Sequence, residues 1–368
     1  MNKTHVTVLE IDSKAIIHNY HYFKSKIKPT TKFMGVVKAF AYGNEAVAIA
    51  KILEKEGVDY LAVAFIDEGI ALREAGINKP ILVLHPQTET LHHLLTYQLE
   101  PNLYSFRILN QFIEVIKTAK LNNYPIHVKF NTGLNRLGFK PTDVDEVISI
   151  LKNNSELHLT SIFSHLVASE DLNERAFTQN QIDSFKKLSD QISKELNINP
   201  IRHLSNTSGV INYPDAHFDM VRVGIGLYGF GNDTEETSKL KLVGTLKSRI
   251  SQIHTINPGE SVGYNRGFIS SETIKSATIP IGHADGIHRN LGNKVGYVTI
   301  NNQKAYFLGN VCMDMIMVDV TNIQCEEGDE VFIFKNQENV EDLASRSNTI
   351  SYEMITGISQ RIPRKLIN

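Results

Sequence analysis

The feature that most constrains this 368-residue chain is a regular alternation of short apolar runs with longer amphipathic ones over residues 33–221. Eight runs read as strands: Phe33–Val37, Asp59–Ala64, Pro80–Leu84, Leu99–Leu103, Ile126–Phe130, Leu157–Phe163, Ile201–Leu204 and Phe218–Val221. Between them lie helical patterns such as Ala46–Glu56, Asp67–Ala75, Arg107–Lys120, Val144–Lys152 and Phe177–Leu196. Neighbouring parallel strands need a crossover, so strand–helix alternation predicts βα units around a parallel sheet. Eight units in about 220 residues fit a (β/α)8 barrel of the TIM type, whose usual size is roughly 250 residues. The fourth strand is the poorest fit, because Pro101 cannot donate to a ladder. A short strand over Val6–Ile11 opens the chain, and Asp12-Ser13 suits the N-cap of a helix running to about Lys26.

From about Leu240 the texture changes. Short alternating runs follow at Thr245–Ile250, Ser276–Ile281, Val295–Ile300, Met315–Val320 and Glu330–Phe334, separated by turn signals such as Pro258-Gly259 and Glu327-Gly328-Asp329. The expected organisation is an α/β barrel over residues 12–235 and a second, β-rich domain over 236–368, joined by the opening strand 1–11. Two cysteines, Cys312 and Cys325, are too few for a disulfide framework. A net charge of −2 gives no electrostatic footprint for nucleic acid or an anionic membrane. No stretch approaches the roughly 20 apolar residues needed to cross a bilayer, and the N-terminus lacks the apolar core of a signal peptide. A cytoplasmic protein is expected. The 14 histidines are scattered, and His92-His93 show no metal-ligand spacing.

Functional groups of such a barrel gather at the C-terminal ends of its strands. Strand one ends in Lys38, with Tyr42 on the loop beyond. Taken alone, a lysine at a strand end more often snorkels to water. Half in an apolar wall, it can instead lose its proton near neutral pH and form a Schiff base with a carbonyl cofactor. Strand five leads into Lys129 and Arg136, strand six ends in Ser164-His165, and strand seven leads through His203 to Ser205-Asn206-Thr207-Ser208-Gly209. Strand eight carries Arg222 ahead of Gly224-Ile225-Gly226. The loops after strands seven and eight are where barrel phosphate sites commonly lie, and a Gly/Ser/Thr-rich turn offers N–H groups and hydroxyls together. A reactive lysine, a phosphate turn and a nearby arginine point to pyridoxal 5'-phosphate.

The chain resembles the alanine racemase family over nearly its full length. The matching stretches include Val37-Lys38-Ala39-Phe40-Ala41-Tyr42-Gly43, Lys129-Phe130-Asn131-Thr132-Gly133-Leu134-Asn135-Arg136-Leu137-Gly138 and Met220-Val221-Arg222-Val223-Gly224-Ile225-Gly226-Leu227-Tyr228-Gly229. In the second domain they include Gly263-Tyr264, Ile281-Gly282-His283-Ala284-Asp285-Gly286, Gly309-Asn310-Val311-Cys312-Met313-Asp314, Ser351-Tyr352-Glu353 and Arg361-Ile362-Pro363-Arg364.

The resemblance implies a homodimer with shared active sites that interconverts L- and D-alanine and so supplies D-alanine for peptidoglycan. Lys38 matches the lysine that holds the cofactor as an aldimine and acts as one base. Tyr264, supplied by the partner subunit, matches the base on the opposite face. Arg222 matches the arginine facing the pyridine nitrogen, His203 the residue that orients it, and His165 a histidine beside the ring. Tyr42, Asn206, Thr207, Gly224, Ile225 and Tyr352 correspond to the phosphate shell. Arg136 and the partner's Met313 backbone N–H correspond to the substrate carboxylate site, and Lys129 to a lysine often carbamylated. Several positions depart from the family pattern. Phe40 stands where aspartate is common, Asn131 replaces aspartate, and His283 replaces tyrosine near the entrance, where Arg289 is expected to gate access. Asn44-Glu45 replaces histidine-glycine and reads as surface drift. Three rivals remain: a non-catalytic pyridoxal-phosphate carrier, which lacks the second domain; a decarboxylase of this barrel type, which places a carboxylate against the ring nitrogen; and a racemase of other or broader specificity.

Overall fold

A computed structural model describes residues 5–368; residues 1–4 of the expected opening strand lie outside the described residues. The eight barrel strands are β2 (Lys32–Val36), β3 (Tyr60–Val63), β4 (Ile81–Val83), β5 (Glu100–Leu103), β6 (Tyr124–Lys129), β7 (Leu157–Phe163), β8 (Ile201–His203) and β9 (Met220–Val223). They pair in order and close on themselves, β9 lying parallel to β2 with Met220 opposite Lys32. Before them come β1 (Val8–Asp12) and the helix Ser13–Ser25, whose first turn is capped by the Asp12 carboxylate accepting from Lys14 and Ala15 N–H.

The period of two along each strand divides the side chains. Phe33, Leu61, Val63, Ile81, Val83, Ile126, Val128 and Val221 face outward into the main core beneath the helices. Met34, Val36, Tyr60, Ala62, Leu82, Phe163 and Met220 form a separate cluster inside the barrel. By the same parity β5 to β9 send Glu100, Asn102, His127, Lys129, Ser161, His203 and Arg222 inward. The interior is therefore apolar at β2 to β4 and carries most of its polar groups from β5 to β9, with Lys38 at the rim above. Pro101 is accommodated because its side chain takes an outward, buried position opposite Val83.

The second domain is built on a nine-stranded sheet in the order β11-β14-β17-β16-β15-β18-β10-β1-β19. Its further strands are β10 (Gly244–Arg249), β11 (Gln252–Ile256), β14 (Ile274–Ile279), β15 (Tyr297–Ile300), β16 (Gln303–Leu308), β17 (Ile316–Asp319), β18 (Glu330–Phe334) and β19 (Arg364–Ile367). The small β12 (Ser261–Val262) and β13 (Phe268–Ile269) pair separately. β1 runs antiparallel to β10 and parallel to β19. Three sheet strands, β11, β16 and β19, and two helices, Gln337–Arg346 and Ser351–Thr356, were not expected from the sequence. The eighth barrel strand begins two residues later than expected, because Phe218 takes a left-handed conformation (φ 49°) after the turn Pro214–Ala216. Among the described residues no helix is long and apolar enough to cross a membrane.

Candidate active site

Lys38 is delivered by an unusual turn. Ala39, Phe40, Ala41 and Tyr42 all adopt left-handed φ values of 52–55°, and Gly43 follows at 84°. Left-handed backbone costs an L-residue about 1–2 kcal/mol, so four in succession carry roughly 4–8 kcal/mol of strain. Neighbouring groups offset it. Glu68 accepts from Ala39 N–H at 2.6 Å with one carboxylate oxygen and from Ala64 N–H at 2.6 Å with the other. Asn44 Nδ2 donates to the carbonyls of Ala41 (2.9 Å) and Tyr42 (3.3 Å). The Arg364 guanidinium donates to those of Gly43 (2.8 Å) and Asn44 (3.1 Å). At Gly43 a Cβ would overlap the Ile355 carbonyl, so only glycine fits there.

Asn44-Glu45 is thus not surface drift. Asn44 is 4% exposed, and Glu45 caps the next helix by accepting from Val47 and Ala48 N–H. Asn44 satisfies carbonyls of the turn, and Glu45 satisfies the open N–H groups at the start of the helix Ala46–Lys55.

The half-buried Lys38 amine makes no hydrogen bond to any described residue. Burial lowers its pKa, the Arg136 charge lowers it further, and Glu68 opposes. Lys129, 6% exposed, is pushed down to about 7 by burial and by Arg222, Arg136 and Lys38. Arg222 lies 5% exposed between β9 and β8. Nη1 donates to His203 Nδ1 (2.7 Å) and the His203 carbonyl (3.1 Å). Nη2 donates to the carbonyls of Ser164 (2.6 Å) and Leu204 (3.0 Å) and to His165 Nδ1 (3.2 Å). No carboxylate touches the guanidinium, and its Nε has no acceptor among the described residues. Burial brings its pKa down to about 9, so it remains a cation at neutral pH. His165 and His203 are both held well below the usual imidazole value, by burial first and then by Arg222.

Beside this cluster, Thr207 Oγ1 accepts from Gly224 N–H (3.2 Å) and Gly226 N–H (3.4 Å). The N–H of Ile225 has no acceptor among the described residues. Asn206 accepts from Gly209 N–H and from the Ser169 hydroxyl. Tyr42 stacks on Tyr228 with ring centres 4.7 Å apart and lies 6.2 Å from the Tyr352 ring. Burial raises both hydroxyls, Tyr352 to about 12, so each is a proton donor at neutral pH. A Cβ on Gly224 would overlap Tyr42 Oη, which fixes how closely hydroxyl and turn approach.

Two expected residues lie elsewhere. Tyr264 is 74% exposed and Met313 59%, and both line a cleft of ≈ 580 Å³ on the second domain with Cys312 and Asp314. No hydrogen bond or ring contact joins either to the barrel mouth of the same chain among the described residues. Arg361 braces the Met313 loop, pairing with the buried Asp285 (2.5 and 2.9 Å) and with Asp314 (2.6 Å). His283 and Arg289 are exposed, and His283 N–H donates to the Cys312 carbonyl at the base of that loop. Sequence reasoning missed Glu68, Asn44 and Tyr228 as supports of the site. Only Glu68 had a local signal, as the acidic third residue of a helix whose preceding N–H groups it accepts.

Comparison with known proteins agrees across the whole chain. The family model "Alanine racemase, N-terminal domain" matches residues 11–231, and "Alanine racemase, C-terminal domain" matches 243–366. The alanine racemase of Synechocystis sp. is 36% identical, with 98% of each chain covered. That of Halothermothrix orenii is also 36% identical, covering 100% of this chain and 99% of its own. The solved alanine racemase of Clostridium difficile superposes with a TM-score of 0.93 at 34% identity, over 99% of this chain and 96% of that one. An alanine racemase from Bartonella henselae, solved with covalently bound pyridoxal phosphate, superposes with a TM-score of 0.89 at 29% identity, over 98% and 99%. By family models, sequence and fold alike, the chain belongs to the alanine racemase family of pyridoxal-phosphate-dependent isomerases.

Proposed function

We propose that this protein interconverts L- and D-alanine with pyridoxal 5'-phosphate, using Lys38 of one subunit and Tyr264 of the partner subunit as its two bases. The observation that carries the reading is the environment of Arg222: a buried cation bound to two histidine nitrogens and three carbonyls, with no carboxylate in contact. The cofactor suits the residues present. A buried Nε without an acceptor matches a ring nitrogen, an unpaired amine of lowered pKa matches a carbonyl, and a turn with an unused N–H beside two tyrosine hydroxyls matches a phosphate. When bound, pyridoxal phosphate supplies an electron-withdrawing ring that acidifies the α-carbon of an amino acid.

Arg222 donates to the ring nitrogen but keeps its own protons, which limits electron withdrawal and favours proton movement over decarboxylation or group transfer. His203 and His165, held neutral, keep the guanidinium in place. Tyr42, Asn206, Thr207, Gly224, Ile225 and Tyr352 hold the phosphate. Lys38 moves the proton at one face of the α-carbon, and Tyr264 of the partner subunit moves it at the other. The exposure of Tyr264 and Met313 in the single chain supports their acting across a dimer interface. Arg136 and the backbone N–H of Met313 of the partner subunit bind the substrate carboxylate. Lys129, its pKa pushed down to about 7, is in part a free amine at neutrality and can add to carbon dioxide: a C–N bond forms, a proton leaves, and the carbamate anion aligns Arg136. D-Alanine made this way would enter peptidoglycan from the cytoplasm.

The test is interconversion in both directions by purified protein with added cofactor, read by chiral chromatography. Turnover that disappears in Lys38→Ala supports the reading. No turnover of alanine, with the cofactor bound, refutes it, and a panel of other amino acids then separates a different specificity from a carrier.

A further inference from the structure

The polar side of the barrel interior holds groups that the chemistry above leaves unused. Arg222 can only donate, so His203 Nδ1 accepts and the His203 proton lies on Nε2. Nε2–H then donates to Ser161 Oγ at 2.8 Å, which leaves the Ser161 hydroxyl to donate to His127 Nδ1 at 2.5 Å. His127 in turn carries its proton on Nε2 and donates to Glu100 Oε2 at 2.6 Å. Hydrogen positions follow here from the chemistry of the two ends. A cation that can only give and a carboxylate that accepts terminate a chain in which each link has one direction.

The chain is built into the barrel. His127, Ser161 and His203 are fully buried, and the Glu100 side chain is 12% exposed. A register shift between β6 and β7 skips Thr160 and sets Ser161 beside His127. Phe163 stacks on the His203 ring at 4.7 Å, and Tyr60 meets His127 edge-on at 6.0 Å, so neither imidazole can turn freely.

We propose that Glu100 is a positioning residue: by holding His127 in its Nε2–H form it sets the direction of the whole chain and keeps His203 an acceptor towards Arg222. This rests on Arg222 facing the cofactor ring. Without an acceptor at the outer end, His127 can turn its proton inward on Nδ1. Ser161 must then donate to His203 Nε2, the His203 proton moves to Nδ1, and it meets the Arg222 N–H head-on. The guanidinium would shift away from the ring nitrogen although no residue touching the cofactor had changed.

The test uses the holoenzyme with ¹⁵N-labelled histidine. Glu100→Leu keeps the volume and removes the acceptor; Glu100→Gln keeps an acceptor oxygen. Parent and Glu100→Gln should show His127 and His203 as Nε2–H tautomers. Glu100→Leu should show both as Nδ1–H, with kcat lowered roughly 10–100-fold and KM nearly unchanged. A merely structural glutamate would lower the melting temperature and leave the His203 tautomer alone, which would overturn the proposal. So would an inverted tautomer with kcat intact. If Glu100→Leu does not fold, Glu100→Met fills the same space without a strong acceptor and should give the same tautomers and the same kcat loss; full activity there is equally fatal. Should the parent not interconvert alanine at all, the proposed function falls by itself, while the His203 tautomer still decides the role of Glu100.

Discussion

Replacing Gly224 by alanine should weaken cofactor binding, and adding a second substitution that is harmful on its own should partly restore it. A Cβ at Gly224 would overlap Tyr42 Oη. The ring cannot retreat, because it stacks at 4.7 Å on Tyr228, itself 1% exposed and tied by its hydroxyl to the Val36 carbonyl. The glycine cannot retreat either, since its N–H is held by Thr207. Overpacking costs about 1–3 kcal/mol, and the displaced hydroxyl would forfeit its proposed bond to the anionic phosphate, worth about 1.5–3 kcal/mol. The sum, about 2.5–6 kcal/mol, raises the cofactor Kd by roughly 60-fold to 10⁴-fold at about 1.4 kcal/mol per tenfold. Tyr42→Phe alone loses only the bond, or roughly 10–150-fold. In the double variant the clashing oxygen is gone and the nearest remaining ring atom, Cζ, lies 3.1 Å from the new methyl, which a small shift relieves. Gly224→Ala with Tyr42→Phe should therefore bind more tightly than Gly224→Ala alone. Titration of cofactor-free protein with pyridoxal phosphate, followed by absorbance, measures all three. Additive losses, or a Gly224→Ala protein that binds like its parent, would refute the reasoning.

Three other expectations can be checked directly. Lys129 titrates at about 7 folded against roughly 10.4 unfolded, so between these values the unfolded chain binds more protons and stability rises with pH. The penalty, on the order of 4 kcal/mol at and below neutrality, fades towards pH 10. In carbon-dioxide-free buffer Lys129→Met should raise the urea midpoint at pH 7 and hardly at pH 10; equal gains at both would contradict this. Tyr264→Phe should lower racemisation by roughly 10²–10⁴-fold while keeping cofactor affinity. Mixed with Lys38→Ala chains it should recover about a quarter of full activity, since half the random dimers hold one intact site. No recovery after proven subunit exchange would count against shared sites. Arg361→Met leaves the Asp285 carboxylate, 1% exposed, with the Gly282 N–H alone and should lower the urea midpoint. Arg361→Met with Asp285→Asn should regain part of that, and a neutral single variant would show that the pair does not brace the loop.

The barrel was legible because its strands are buried on both faces and read as continuous apolar runs between amphipathic helices. The strands that escaped notice lack that pattern. β11 and β19 lie at the two edges of the sheet and are mostly exposed, so nothing in their composition marks a buried face. β16 follows Asn301-Asn302, both left-handed (φ 47° and 63°), a hairpin signal present in the sequence and passed over. The helix Gln337–Arg346 also carried its signal, since Asn336 accepts from Asn339 N–H as an N-cap. At the site, residue types were readable from motifs but conformation was not. Ala39, Phe40 and Ala41 have no preference for left-handed backbone, and what holds them there comes from Asn44 just beyond the turn and from Glu68 and Arg364 far along the chain. Asn44 looked like a surface residue because it is polar. It is buried because the carbonyls of the turn need donors, and it supplies those for Ala41 and Tyr42.

The bond from Arg364 to the Gly43 carbonyl spans 321 positions. At about 5–20 residues per second of synthesis, roughly 15–60 s separate the two residues as they leave the ribosome. Throughout that interval the barrel strands can pair, but the strained backbone beneath Lys38 lacks one of its clamps, and β1 lacks both sheet neighbours until β10 and β19 follow. The turn that carries Lys38 then has only Glu68 and Asn44 to hold it. The geometry that presents Lys38 becomes complete only when translation has passed residue 364, which ties the shape of a barrel loop to the last strand of the second domain.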